Sequence, residues 1–285
     1  MDEIVYLNGE YLQADQARVS IFDRGFLFGD GVYEVIPVVN GVLIDRDYFL
    51  ERLTNSTGQI DLAWPCEPVE LLQIIQELAA RNQLQEGYVY LQISRGAAVR
   101  DFAYPPGVTP TLMAFASHQA ILNHPMANQG VSVAIVEDLR WKRRDIKSLN
   151  LLGQCMAKQQ AKLSGAYEGW MVEEGFVTEG ASSSAFIVSN NRLITRPLSN
   201  SILPGIRRRV ILELIEEQQI AVEMRPFSVE EALAADEAFL SSATTLVLPI
   251  VSIDGQPVGD GVPGPITSQV RSLYLQMVKA AAGLS

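Results

Sequence analysis

Hydrophobic periodicity lapses over residues 117–130, and that lapse does most to restrict the fold. The stretch Ser-His-Gln-Ala-Ile-Leu-Asn-His-Pro-Met-Ala-Asn-Gln-Gly matches neither a helical nor a strand repeat, while patterned segments lie on both sides of it. We therefore expect an N-terminal domain over 1–118, a linker over 119–130 and a second domain over 131–285. Apolar residues make up 48% of the 285, enough for one large core or two ordinary ones.

Ahead of the break, Ile4-Val5-Tyr6-Leu7, the Asn8-Gly9 turn and Tyr11-Leu12 predict a hairpin. A second is predicted from Val32–Val39, Asn40-Gly41 and Val42-Leu43-Ile44. Helices are expected over 47–60 and 67–84, and strands over 88–94 and 111–117. Beyond the break come a strand from Val131, a helix over 151–163, and short strands in hairpin order between 168 and 195. Pro204 can open a helix that runs through Ile206 to Gln218, and Ser228-x-x-Glu231 is a capping-box pattern. Strand pattern follows over 239–253 and a helix over 265–282. Strands and helices mix without regular βαβ alternation, so the class is α+β.

The formal net charge is -11, which repels nucleic acid and anionic membrane and sets both aside as partners. No apolar run reaches the length of a membrane span, and the N-terminus does not read as a signal peptide. The two cysteines, Cys66 and Cys155, have no metal-like spacing. Cys155 falls in an apolar helical pattern and is expected as a reduced core thiol, so a cytoplasmic location is expected. With only His118 and His124, a metal site is not expected.

Lys147 lies where a strand pattern gives way to a helix pattern, in Asp145-Ile146-Lys147-Ser148-Leu149-Asn150. It reads either as a solvated lysine in a basic turn or as a desolvated, nucleophilic amine. Glu179, followed by Gly180-Ala181-Ser182-Ser183-Ser184, reads as a turn glutamate or as a carboxylate aimed into a tight pocket. Leu203-Pro204-Gly205-Ile206-Arg207 is an ordinary helix start or a phosphate cradle of free N–H groups. Arg52 is a surface arginine or a phosphate fork, and Tyr33, after Gly25, Gly29 and Gly31, is a core ring or a phenol facing a pocket. Taken together, a lysine, a carboxylate, a phosphate cradle and an aromatic suit pyridoxal 5'-phosphate.

The segment Asp138-Leu-Arg140-Trp141-x-Arg143-x-Asp145-Ile146-Lys147-Ser148-Leu149-Asn150 resembles the lysine motif of the class IV, fold type IV, pyridoxal-phosphate aminotransferases. Asp23-Arg24-Gly25-x-x-Phe28-Gly29-Asp30-Gly31-Val32-Tyr33-Glu34 is similar to that family's N-terminal signature, and Val177-Thr178-Glu179-Gly180-x-Ser182-Ser183-Ser184 to its cofactor-nitrogen segment. The Gly-Asp-Gly-Val-Tyr-Glu-Val run is most similar to the D-amino acid aminotransferases. The resemblance implies a smaller N-terminal α/β domain and a larger C-terminal domain with a barrel-like mixed sheet. It implies Lys147 as the Schiff-base lysine and proton shuttle, and Glu179 as partner of the pyridine nitrogen. Arg52, the backbone of Ile206 and Arg207, and the N–H of Ala243 are implied at the phosphate, with Tyr33 and Arg100 at the substrate carboxylate. It further implies a homodimer that exchanges an amino group between a D-amino acid and a 2-oxo acid such as 2-oxoglutarate. A branched-chain L-amino acid aminotransferase, an aminodeoxychorismate lyase and a non-catalytic binder of cofactor or amines are the alternatives. The chain departs from the family pattern at three positions: Phe102 replaces a histidine usual in D-specific members, and Arg207 and Ala243 replace threonines.

Overall fold

A computed structural model describes residues 3–285 as two compact units. The first takes the chain up to Ala120 together with Ile146–Asn150 and Val278–Ser285; the second takes Ile121–Asp145 and Leu151–Met277.

In the first unit, β1 (Ile4–Leu7) and β2 (Glu10–Gln13) form the expected hairpin, with Asn8 left-handed at φ 48. The short helix α1 (Arg24–Phe28) leads into β3 (Gly31–Val39) and β4 (Val42–Leu43). Helices α2 (Arg46–Gln59) and α3 (Pro68–Arg81) precede β5 (Glu86–Ser94) and β6 (Thr111–His118). The strands order as β2-β1-β6-β5-β3-β4, antiparallel throughout. β5 alternates up to Ile93, with Val89, Leu91 and Ile93 buried, as a strand with one covered face must. Leu71, Ile75 and Leu78 of α3, at helical spacing, are buried where that helix packs on β1 and β6.

The second unit begins with β7 (Val131–Glu137), α4 (Leu152–Leu163), β8 (Glu168–Glu173), β9 (Phe176–Gly180), β10 (Ser184–Ser189) and β11 (Arg192–Thr195). It continues with α5 (Ile206–Glu217), β12 (Val222–Met224), α6 (Val229–Leu233), β13 (Glu237–Ser242), β14 (Leu246–Ile253), β15 (Gln256–Pro257) and α7 (Pro265–Ala281). The sheet runs β12-β11-β10-β13-β14-β7-β8-β9, with β15 on β14; β12, β7 and β8 each make a parallel pairing. Its far edge turns back: Phe176 of β9 bridges Ser228, just beyond β12, and Val177 N–H donates to Phe227 O. That closure curls the mixed sheet around Trp170, Phe227, Leu240 and Leu248, all buried. α6 starts on a complete capping box between Ser228 and Glu231, as the spacing predicted.

Two expectations need correction. Residues 239–253 are not one strand, because a turn at 243–245 separates β13 from β14. Cys155 is exposed rather than in the core, since α4 buries Ala157 and Ala161 and turns position 155 outward.

Candidate active site

The lysine segment is built into the first unit's sheet as an extra antiparallel rung. Tyr33 N–H donates to Lys147 O at 2.9 Å, Leu149 N–H donates to Gly31 O at 3.0 Å, and Val32 bridges Ser148. The Lys147 N–H donates to Ser56 Oγ at 3.3 Å. Glycine makes this approach possible. A Cβ on Gly31 would fall 2.4 Å from Ile93 O and 2.8 Å from Leu149 Cδ1. Gly29, left-handed at φ +67, would place a Cβ 2.9 Å from Asn150 Oδ1. Lys147 is half-buried, and its Nζ lies 4.1 Å from the centroid of the Tyr33 ring. Tyr33 stacks on Tyr90, which stacks on Phe115, so the ring that meets the amine is held from behind.

Arg52 is not a surface arginine. Its Nε and Nη2 donate to the two oxygens of fully buried Glu34, both at 2.7 Å. This fork fixes the guanidinium on α2 against β3. Glu34 went unrecognised in the sequence, although it follows Tyr33 in the same motif. Arg100 stands in the loop after β5, with its guanidinium 5.2 Å from the Phe28 ring and 5.3 Å from the Phe102 ring.

Glu179, Ile206, Arg207 and Ala243 lie in the second unit. Glu179 is buried, and Arg140 Nη1 donates to it in a short ion pair. The Leu203 N–H lies 3.1 Å from both of its carboxylate oxygens. Burial pushes the Glu179 carboxyl above the ordinary carboxylate range, against the pull of Arg140 and the Leu203 N–H. Arg140 in turn donates through Nε and Nη2 to Asp138, which also accepts from Thr178 Oγ1 at 2.6 Å and pairs with Arg144. Burial alone would raise the Asp138 carboxyl, but Arg140, Thr178 and Arg144 outweigh it and hold it low. Burial likewise opposes the Arg140 charge, and Asp138 with Glu179 more than offsets it. Asp138 and Arg140 were visible as motif letters, but nothing in their spacing announced that they would clamp a carboxylate about 40 residues away.

Two residues beyond Leu203, Gly205 caps α5 and has no side chain to offer the helix's first N–H groups. A Cβ there would meet Ser184 Oγ at 2.6 Å. The Arg207 side chain is buried and donates to Tyr274 OH of α7 at 2.9 Å. Ala243 lies in the 243–245 turn, where Ser242 and Thr245 hydroxyls bond each other and Arg271 of α7 donates to Thr245 O and Val247 O. Ser241 Oγ is buried with no hydrogen-bond partner among the described residues. A helix start capped by a glycine with no room for a side chain, together with an orphaned hydroxyl, suits a bound phosphate. Within the first unit a half-buried amine is suited to meet an aldehyde, and within the second a buried, cation-paired carboxylate is suited to meet a pyridine nitrogen.

Residues 31–253 match the family described as amino-transferase class IV. The chain is 40% identical over 270 residues to the D-alanine aminotransferase of Bacillus licheniformis, covering 94% of each protein. It is 39% identical over 277 residues to that of Staphylococcus haemolyticus, covering 97% of this chain and 98% of the relative. Among solved structures, the Escherichia coli branched-chain amino acid aminotransferase superposes with a TM-score of 0.91 at 25% identity, over 97% of this chain and 95% of the other. The chain belongs to the class IV aminotransferases, the fold type IV enzymes that depend on pyridoxal 5'-phosphate.

Proposed function

We propose that this enzyme moves an amino group from a D-amino acid of the D-alanine type to a 2-oxo acid such as 2-oxoglutarate. The observation that carries the reading is Lys147, a half-buried amine against Tyr33 on a segment hydrogen-bonded to β3. The choice of a D-amino acid is supported by the curated relatives, which are D-alanine aminotransferases over nearly their full length.

Lys147 would hold the cofactor's aldehyde carbon and Glu179 its ring nitrogen. Arg52, the N–H groups of Ile206 and Arg207, and the N–H of Ala243 would hold the phosphate. When bound, pyridoxal phosphate supplies an electron sink that makes the substrate Cα–H bond acidic. Lys147 Nζ then takes the proton from Cα and returns one when the second oxo acid receives the amine. Glu179, kept oriented by Arg140 and Leu203, is a carboxylate of raised proton affinity, well matched to share a proton with a pyridine nitrogen. Glu34 keeps the Arg52 guanidinium in one orientation. Tyr33 and Arg100 meet the substrate carboxylate.

The purified protein, supplied with the cofactor, is expected to show a visible absorbance band that Lys147→Ala abolishes. It is expected to form pyruvate from D-alanine and 2-oxoglutarate faster than it consumes L-leucine or aminodeoxychorismate. A preference for either of the latter two would overturn the substrate assignment. The same reading makes the enzyme a cytoplasmic homodimer. Its supports are the two free thiols and the exposed apolar side chains of Ile21, Phe22, Phe26 and Val99. Sedimentation of a stable monomer would overturn the dimer.

A further inference from the structure

Three charged side chains with no part in the reaction above are buried beneath the Arg100 loop. Arg24 opens α1, Asp30 lies between α1 and β3, and Arg95 follows β5. Their side chains are 3%, 8% and 8% exposed. Asp30 accepts from Arg24 Nε at 2.6 Å and from Arg95 Nε at 2.9 Å. Both arginines also donate to main-chain carbonyls. Arg95 reaches Ile60 O and Asp61 O, at 2.7 and 2.9 Å. Arg24 reaches Asp101 O at 2.5 Å and Phe102 O at 3.3 Å. The Tyr104 ring closes the stack, 3.5 Å from the Arg95 guanidinium carbon.

The carbonyls gripped by Arg24 belong to the two residues that follow Arg100. At its start the loop is pinned by the Asp23–Ala97 bridge and by Arg24 N–H donating to Gly96 O. Arg100 is thereby held with its guanidinium beside the rings of Phe28 and Phe102, which are 5.6 Å apart. Among the described residues no carboxylate pairs with Arg100; the contacts of its guanidinium are these two rings. An exposed guanidinium with aromatic walls and no anion of its own is a receptor for a small carboxylate. Phe102 contributes a ring and a carbonyl but no side-chain donor, so this loop's grip on an anion depends on where Arg100 points.

We propose that Arg24, anchored on Asp30, is a positioning residue that fixes the Asp101–Phe102 backbone and so aims Arg100 at the substrate carboxylate. The proposal rests on the reading that Arg100 meets that carboxylate. Arg24 acts through the loop and touches neither substrate nor cofactor. Lysine at position 24 carries its three donors on a single nitrogen and lacks the planar fork by which Nε, Nη1 and Nη2 serve Asp30, Asp101 O and Phe102 O.

The test uses the cofactor-loaded enzyme and its variants Arg24→Lys, Arg24→Met, Arg100→Met and Arg24→Met/Arg100→Met. Propionate, which has the carboxylate but no amine, serves as a competitive inhibitor. Each Arg24 variant is expected to raise KM for D-alanine and Ki for propionate by about 10- to 100-fold, with kcat and the cofactor absorbance changed little. On the Arg100→Met background, Arg24→Met is expected to add almost nothing, because the two act as one unit. Amide exchange of the 97–104 segment is expected to quicken in Arg24→Lys, measured without substrate. Additive effects of the two substitutions, an unchanged propionate Ki in both Arg24 variants, or unchanged loop exchange would overturn the proposal. An unchanged propionate Ki in Arg100→Met would overturn the reading of Arg100 itself, and the two failures are thus told apart.

Discussion

Arg140 is the centre of the second unit's buried ion pairs. Through Nη1 it holds Glu179 and through its other donors Asp138, so one guanidinium orients the carboxylate and pulls against the burial that raises its proton affinity. On the proposed role of Glu179, Glu179→Gln keeps the shape but removes the charge offered to a protonated ring nitrogen. We expect kcat to fall about 10²–10³-fold, the range for losing one preorganised electrostatic partner, with the melting temperature nearly unchanged. Asp138→Ala instead leaves Arg140 and Arg144 short of a buried counter-charge. Denaturant unfolding of that variant should show a loss of about 3–5 kcal/mol. The same scale shows where sequence reading stops. Lys147 and Glu179 stand out in the sequence, one at a strand-to-helix join and one before a run of small residues. Arg140 and Glu34 do not, because an ion pair across tens of residues leaves no periodic trace and its letters look like any polar loop or strand residue.

Among the elements, the hairpins at Asn8-Gly9 and Asn40-Gly41 were legible, since a tight turn demands residues that tolerate positive φ. The amphipathic α3 and the capping box of α6 were also plain. α1 and β12, of five and three residues, were missed because elements so short give no full period to count. The face of α4 was misjudged at Cys155, because α4 buries alanines and exposes Leu152, Met156 and Leu163, so hydrophobicity points the wrong way. Gly31 illustrates what an element needs from one position. Gly31→Ala forces its methyl into Ile93 O and Leu149. The expected cost is about 1–3 kcal/mol by thermal melting, with weakened cofactor retention because the lysine rung is pushed off β3. Ser228→Ala removes a cap from α6 and should cost about 1 kcal/mol in stability with no change in KM.

At the scale of the whole molecule, the first unit ends at Ala120 and takes back 146–150 and 278–285, a return that no local sequence pattern announces. Pairing between segments more than 100 residues apart is a property of the folded chain, and no local pattern encodes it. Acid stability is also a property of the whole. Asp138 and Glu173 are held below the usual carboxylate range, so their stabilisation is present above about pH 4 and lost as pH falls through their lower folded values. Glu179, raised by burial, has the opposite sign: protonating it relieves a cost. Because Asp138 is buried and bonded to two arginines, we expect its effect to prevail. Melting temperature should drop on acidification below about pH 4, and Asp138→Asn, already less stable, should show a shallower drop.

The rung that Lys147 and Leu149 add to β3 has a consequence during biosynthesis. Until the ribosome has delivered residue 149, the backbone of Gly31 and Tyr33 lacks those two partners, and a nascent chain of only the first 120 residues carries a partly bare strand that neighbouring polypeptides can capture. Truncation before the lysine therefore should yield a sticky fragment rather than an autonomous small domain, and coexpression of the missing C-terminal piece should restore it to solution.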